Sequence, residues 1–140
     1  MDAATILNFI NQTIKKTKTK ELNWLTLKNS SSIKPLPESS TLPSLRSIES
    51  LITSDSYIAS YKTGELTFLV FSSSANLLLS APPYGCTLSL RMQDNKSKYA
   101  VEICNSKQNP DAATQLMRLY NLIAKDSSSV SALINDFLNS

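Results

Sequence analysis

Tyr57-Ile-Ala-Ser-Tyr-Lys-Thr-Gly-Glu-Leu-Thr-Phe-Leu-Val-Phe71 places two alternating apolar runs on either side of Thr63-Gly64. Alternation with period two is the pattern of a half-buried strand. A glycine at the second place of a two-residue connection suits a tight hairpin, because glycine accepts a positive φ. This register predicts the pairs Tyr61–Leu66, Ala59–Phe68 and Tyr57–Val70, all on one face. The opposite face carries Ser60 and Thr67 near the turn, then Ile58 and Leu69, so it is polar at the tip and partly covered at the base.

A second hairpin follows. Residues 86–93 alternate with Leu88, Leu90 and Met92 on one side, and residues 98–104 with Tyr99, Val101 and Ile103 on one side. With Asp94-Asn-Lys-Ser97 as the loop, Leu88 pairs with Ile103, Leu90 with Val101 and Met92 with Tyr99. A slip of one residue would set Leu88 against Glu102. Leu77-Leu-Leu79 reads as one more strand, stopped by Pro82-Pro83, which cannot donate to a ladder.

Helical patterns lie on both sides of these strands. Ile6, Phe9, Ile10 and Ile14 form one stripe, Asp2 is placed to cap it, and Lys15, Lys16, Lys18 and Lys20 crowd the end where cations complement the helix dipole. Leu22, Trp24, Leu25 and Leu27 suggest a short strand with Trp24 largely buried. Ile48, Leu51 and Ile52 suit a helical turn or a strand equally. Near the C-terminus, Asn109, Pro110 and Asp111 are a start signal for a helix whose stripe is Ala112, Leu116, Leu119, Tyr120 and Ile123. Asp126-Ser-Ser-Ser129 ends it and opens a last helix with Val130, Leu133, Ile134, Phe137 and Leu138 on one face. Segregated helices and strands predict an α+β fold: an N-terminal helix, a meandering antiparallel sheet of about 4–6 strands, and two C-terminal helices packed on the sheet.

The chain has 140 residues and reads as a single domain over 1–140. Asn29-Ser-Ser-Ser32 with Pro35, Pro37 and Pro43 marks a Ser/Pro-rich loop at about 28–47, long enough that it is either mobile or holds a short element. No apolar stretch approaches a membrane span, and Asp2, Asn8 and Asn11 spoil a secretory signal, so the expected location is cytoplasmic, without membrane contact.

Histidine is absent. That excludes His-activated nucleophiles, the common histidine acid/base and every His-containing metal site. Two glycines are too few for the usual Gly-rich phosphate loops. Cys86 and Cys104 fall on opposite faces in the predicted register, which disfavours a disulfide, and two thiols do not complete a zinc site. No catalytic residue, cofactor or metal is assigned. Tyr84, on the Pro82-Pro83 turn, is the candidate anchor for a partner protein. Lys15, Lys16, Lys18 and Lys20 are the candidate nucleic-acid contacts, with neither an interleaved aromatic nor an arginine for base reading.

The stretches Ile14-Lys-Lys-Thr-Lys-Thr-Lys-Glu-Leu-Asn-Trp24, Tyr57-Ile-Ala-Ser-Tyr-Lys-Thr-Gly-Glu-Leu66, Leu119-Tyr-Asn-Leu-Ile123 and Ile134-Asn-Asp-Phe-Leu138 resemble short uncharacterised proteins of low-G+C Gram-positive bacteria and their phages or mobile elements. The resemblance touches about half the chain and implies no activity and no functional residues. The residues themselves point to a non-catalytic binding module: an accessory, adaptor or inhibitor protein acting on another macromolecule. The alternatives are nucleic-acid binding through the lysine run and binding of a small ligand.

Overall fold

The computed structural model describes residues 1–27, 33–37, 49–73, 85–126, 134 and 136–139. Helix α1 spans Ala3–Lys18. Asp2 caps it, its carboxylate accepting from the Thr5 backbone N at 2.8 Å. The buried positions are Ile6, Ile10, Thr13 and Thr17, while Phe9 and Ile14 are half-buried against the same core. Two threonines serve on an apolar face because their hydroxyls are occupied. Thr13 Oγ1 donates to the Phe9 carbonyl and Thr17 Oγ1 to the Thr13 carbonyl, both at 2.8 Å. Thr17 Oγ1 also accepts from Trp24 Nε1 at 3.0 Å, which pairs the indole as burial requires.

The helix ends with Lys20 at φ 67°. The Glu21 N–H reaches the Lys16 carbonyl at 2.9 Å and the Lys20 N–H the Thr17 carbonyl at 3.2 Å, the two bonds of a Schellman motif. An ion pair from Lys16 Nζ to Glu21 Oε2, 3.1 Å, joins the positions where an apolar contact usually sits.

Six strands form one antiparallel sheet: β1 (Trp24–Thr26), β2 (Glu49–Leu51), β3 (Tyr57–Tyr61), β4 (Gly64–Ser73), β5 (Cys86–Asp94) and β6 (Ala100–Asn105). The order is β1-β3-β4-β5-β6, with β2 pairing the far end of β4. Leu51 and Ile52 thus resolve as a strand and its end. The predicted strand Leu77-Leu-Leu79 lies outside the described residues. A 3-10 turn at Pro110–Ala112 leads into α2, Ala113–Asp126. Its predicted stripe, Ala112, Leu116, Leu119, Tyr120 and Ile123, is buried throughout. Asn109 precedes the turn, but its side chain does not cap it. Its Oδ1 accepts from the Asn105 backbone N at 3.0 Å and closes the loop after β6.

Both helices cover one face of the sheet. Ile6 and Ile10 of α1 and Leu116, Leu119 and Ile123 of α2 meet Trp24, Tyr57, Leu66, Phe68, Val70, Leu88 and Leu90 in one core. On the other face, Leu27, Ile58 and Leu69 are buried, with Ile33, Leu51 and Phe71 against them. Thr67, read as polar surface, is fully buried there. Residues 33–37 of the Ser/Pro-rich loop run extended across the second hairpin. The Pro35 carbonyl takes the Ala100 N–H at 2.9 Å, and Lys34 Nζ donates to the carbonyls of Asp94 and Ser97.

Both predicted registers need correction. The first hairpin pairs Tyr57 with Phe68, Ala59 with Leu66 and Tyr61 with Gly64, so Lys62-Thr63 makes the turn and the partners move by two residues. An even shift keeps each side chain on its expected face. Lys62 takes the positive φ, 54°, whereas Gly64 sits in β4 without one. Gly64 is required for closeness instead: a Cβ there would lie 2.7 Å from the Gln93 backbone oxygen of β5. Gly64→Ala is therefore expected to cost about 1–3 kcal/mol by overpacking. Lys62→Gly and Lys20→Gly, which relieve left-handed backbone, are each expected to gain up to about 1 kcal/mol. Urea midpoints moving in these opposite directions check both assignments.

In the second hairpin Gln93 pairs with Ala100, Met92 with Val101 and Arg91 with Glu102. The register then shifts, so that Leu90 pairs with Cys104. The irregularity carries Cys104 onto the helix-covered face with Leu90, where it is 2% exposed. The expected opposite-face placement of Cys86 and Cys104 is thereby overturned, though both are free thiols. Lys34 bonded inside the turn helps explain the wider loop: that contact comes from a segment remote in sequence.

Candidate functional site

Tyr84 lies outside the described residues. The lysine run is divided by the end of α1. Lys15, Lys18 and Lys20 are exposed, while Lys16 is half-buried and paired with Glu21. That hydrogen-bonded carboxylate raises the Lys16 pKa. The fold brings to this corner an aromatic the sequence had kept apart. The Tyr61 ring lies between Lys16 and Lys62, each Nζ 5.4 Å from its centroid. Nothing local to residues 14–20 signals this, because the partner comes from a hairpin tip far along the chain.

Beside Tyr61 an apolar cleft of about 100 Å³ opens between α1 and the sheet. Phe9, Thr13, Leu22, Leu66 and Met92 line it, with Gln12, Lys16 and Tyr61. Small-molecule sites usually hold about 300–1,000 Å³. This cleft has room for a single side chain.

Four groups with chemistry meet at the opposite end of the sheet. Tyr120 of α2 donates its hydroxyl to Asp55 Oδ1 at 3.0 Å, and its ring stands edge-on to Tyr57 at 6.4 Å. Burial raises the pKa of Tyr120, Tyr57 and Cys86 alike, and the Asp55 carboxylate adds to each. All three therefore keep their protons at neutral pH. Reactive thiols show the reverse shift. Burial also pushes the Cys104 thiol up to about 12. Cys104 is expected to resist alkylation in the native protein at pH 8 and to react on unfolding, with Cys86 the faster of the two. Thiol counting with and without denaturant checks this. From the ordinary thiol value of 9.0 up to about 12, the unfolded chain releases a proton that folded Cys104 keeps. This group's contribution to stability consequently falls as pH rises through that window.

A third cluster bridges β5 and β6. Ser89 Oγ donates to Glu102 Oε2 at 2.6 Å, Arg91 Nε donates to Ser89 Oγ at 3.0 Å, and Asn105 Nδ2 donates to Glu102 Oε1 at 2.8 Å. A serine on a carboxylate is one element of an activated nucleophile. Ser89 is only 1% exposed, however, and lies against the register shift, so the network's role is to hold the irregular ladder. Among the described residues, no three Cys, Asp or Glu side chains gather at metal-binding range. None of the described helices is long and apolar enough to cross a membrane.

The last apolar stripe departs from expectation. Residues 136–139 are helical, as is Ile134, but Ile134 is 53% exposed, Phe137 80% and Leu138 71%. These side chains face solvent rather than the sheet. The periodicity that identified the helix carried no information about what it packs on. The chain matches no protein-family model, no curated protein and no solved structure at a significant level.

Proposed function

We propose that the chain is a non-catalytic binding module that docks on another protein through its C-terminal helical segment. The observation that carries this reading is the exposure of Ile134, Phe137 and Leu138, at i, i+3 and i+4 on one helical face. That spacing is how an amphipathic helix presents anchors to an apolar groove. Burying each side chain is worth about 1.5–3 kcal/mol, enough for a useful affinity after the cost of association. Protonated thiol and phenol groups in the Asp55–Tyr120 cluster agree with a role other than catalysis. The test compares the intact chain with Phe137→Ser/Leu138→Ser as bait, then repeats binding with purified partner. A stoichiometric partner lost with the double variant supports the reading. Equal recovery by both baits, or turnover on a metabolite panel without any partner, refutes it.

Tyr61 between Lys16 and Lys62, next to exposed Lys15, Lys18 and Lys20, favours one second reading: contact with a single-stranded nucleic acid, the ring stacking on a base and the lysines on phosphates. A gel shift across a salt series decides it. Binding that weakens steeply with salt and disappears in Lys15→Glu/Lys18→Glu supports it. No shift at low salt ends it.

A further inference from the structure

We infer that the C-terminal segment of one copy seats in the cleft between α1 and the sheet of a second copy, and that the exchange is reciprocal. The inference rests on the reading of that segment as the docking element and names its occupant. Both halves of the contact are on this chain. Leu138 and Phe137 project from a helical turn at 71% and 80% exposure, so the segment does not bury them against its own chain. The cleft, about 100 Å³ and almost wholly apolar, takes one aliphatic side chain. Charge fixes the orientation. Asp136 is the only charged residue over 134–139, whereas Lys16 lines the cleft and Lys62 stands with it against Tyr61. Leu138 in the cleft brings the Asp136 carboxylate towards these ammonium groups. Exchange about a two-fold axis uses both seats at once and closes the assembly at a dimer.

Sedimentation equilibrium of the intact chain from about 1 μM to about 1 mM tests the inference. The expected result is a rise from 15.4 kDa to twice that mass. Leu138→Ser removes a buried anchor from both seats and weakens the dimer at least about a hundredfold. Gln12→Trp, at an exposed position on the cleft wall, fills the seat and has a similar effect. Neither variant touches the core. Mixed together, they form a heterodimer, since one keeps the cleft and the other the segment. Asp136→Lys loosens the dimer up to about fivefold, and adding Lys62→Glu restores it. A wild-type chain that stays monomeric over the whole range, or a dimer indifferent to Gln12→Trp, overturns the inference. If the monomeric chain still needs Phe137 and Leu138 to bind a purified partner, the second copy is refuted and the binding module stands. A monomer with no such partner refutes both.

Discussion

Phe68→Ala is expected to lower the free energy of unfolding by about 3–5 kcal/mol, a large share of the 5–15 kcal/mol typical of a domain. Phe68 is fully buried in β4, paired with Tyr57 on one side and Leu90 on the other. Its ring lies 6.1 Å from that of Tyr120 on α2, so the deletion removes contacts between the sheet and the helix layer. The cost of a cavity depends on whether neighbours collapse into it. Here the nearest large neighbour is tethered, because the Tyr120 hydroxyl is bonded to Asp55. The loss should therefore sit towards the top of the range. Phe68→Leu, which retains most of the volume, should lose less than half as much. Urea unfolding followed by Trp24 fluorescence measures both. A Phe68→Ala loss under about 1 kcal/mol would contradict the placement of this ring at the junction of sheet and helix.

Phe68 was also legible in the sequence, and the reason shows where such legibility stops. Alternation in residues 57–71 assigns faces, and faces survive any even error in register. Tyr57, Ala59, Leu66 and Phe68 accordingly fall on the helix-covered side although the pairing moved by two residues. The error came from Gly64, which has two uses. Glycine permits a positive φ, and it also permits close approach of another backbone; only the position of β5 reveals which applies. In β6 the face assignment itself failed, because the irregularity opposite Leu90 and Arg91 reverses the alternation before Cys104. Thr13 and Thr17 escaped notice as core positions because their burial depends on hydrogen bonds back along the helix and to Trp24. The C-terminal stripe was recognised as a helix face, but a stripe states that an apolar surface exists and not what covers it. The candidate cleft was invisible for a similar reason: it joins α1 to β3, β4 and β5, and no local pattern encodes that meeting.

Glu102→Ala is expected to cost about 3–5 kcal/mol, the effect of breaking a buried pair rather than the at most about 1 kcal/mol of a surface one. The Arg91 and Glu102 side chains are 13% and 23% exposed and lie 3.5 Å apart. Burial lowers the Arg91 pKa, and Glu102 opposes that shift through charge and hydrogen bonding. Without the carboxylate the guanidinium keeps its desolvation cost and loses its anion. The Ser89 hydroxyl and one hydrogen bond of the Asn105 amide lose their acceptor at the same time. The Phe71 ring, 5.4 Å from the guanidinium carbon, supplies only part of the lost stabilisation. Because the penalty lies in stranding the charge, removing both partners should cost less than removing one. Arg91→Met/Glu102→Leu is expected to be more stable than Glu102→Ala, whereas independent contributions would make it less stable. Denaturant unfolding of the two single variants and the double variant decides between these. The double variant also isolates the register shift: if the irregular pairing at Leu90 depends on the network, amide exchange at residues 102–105 accelerates even as global stability recovers.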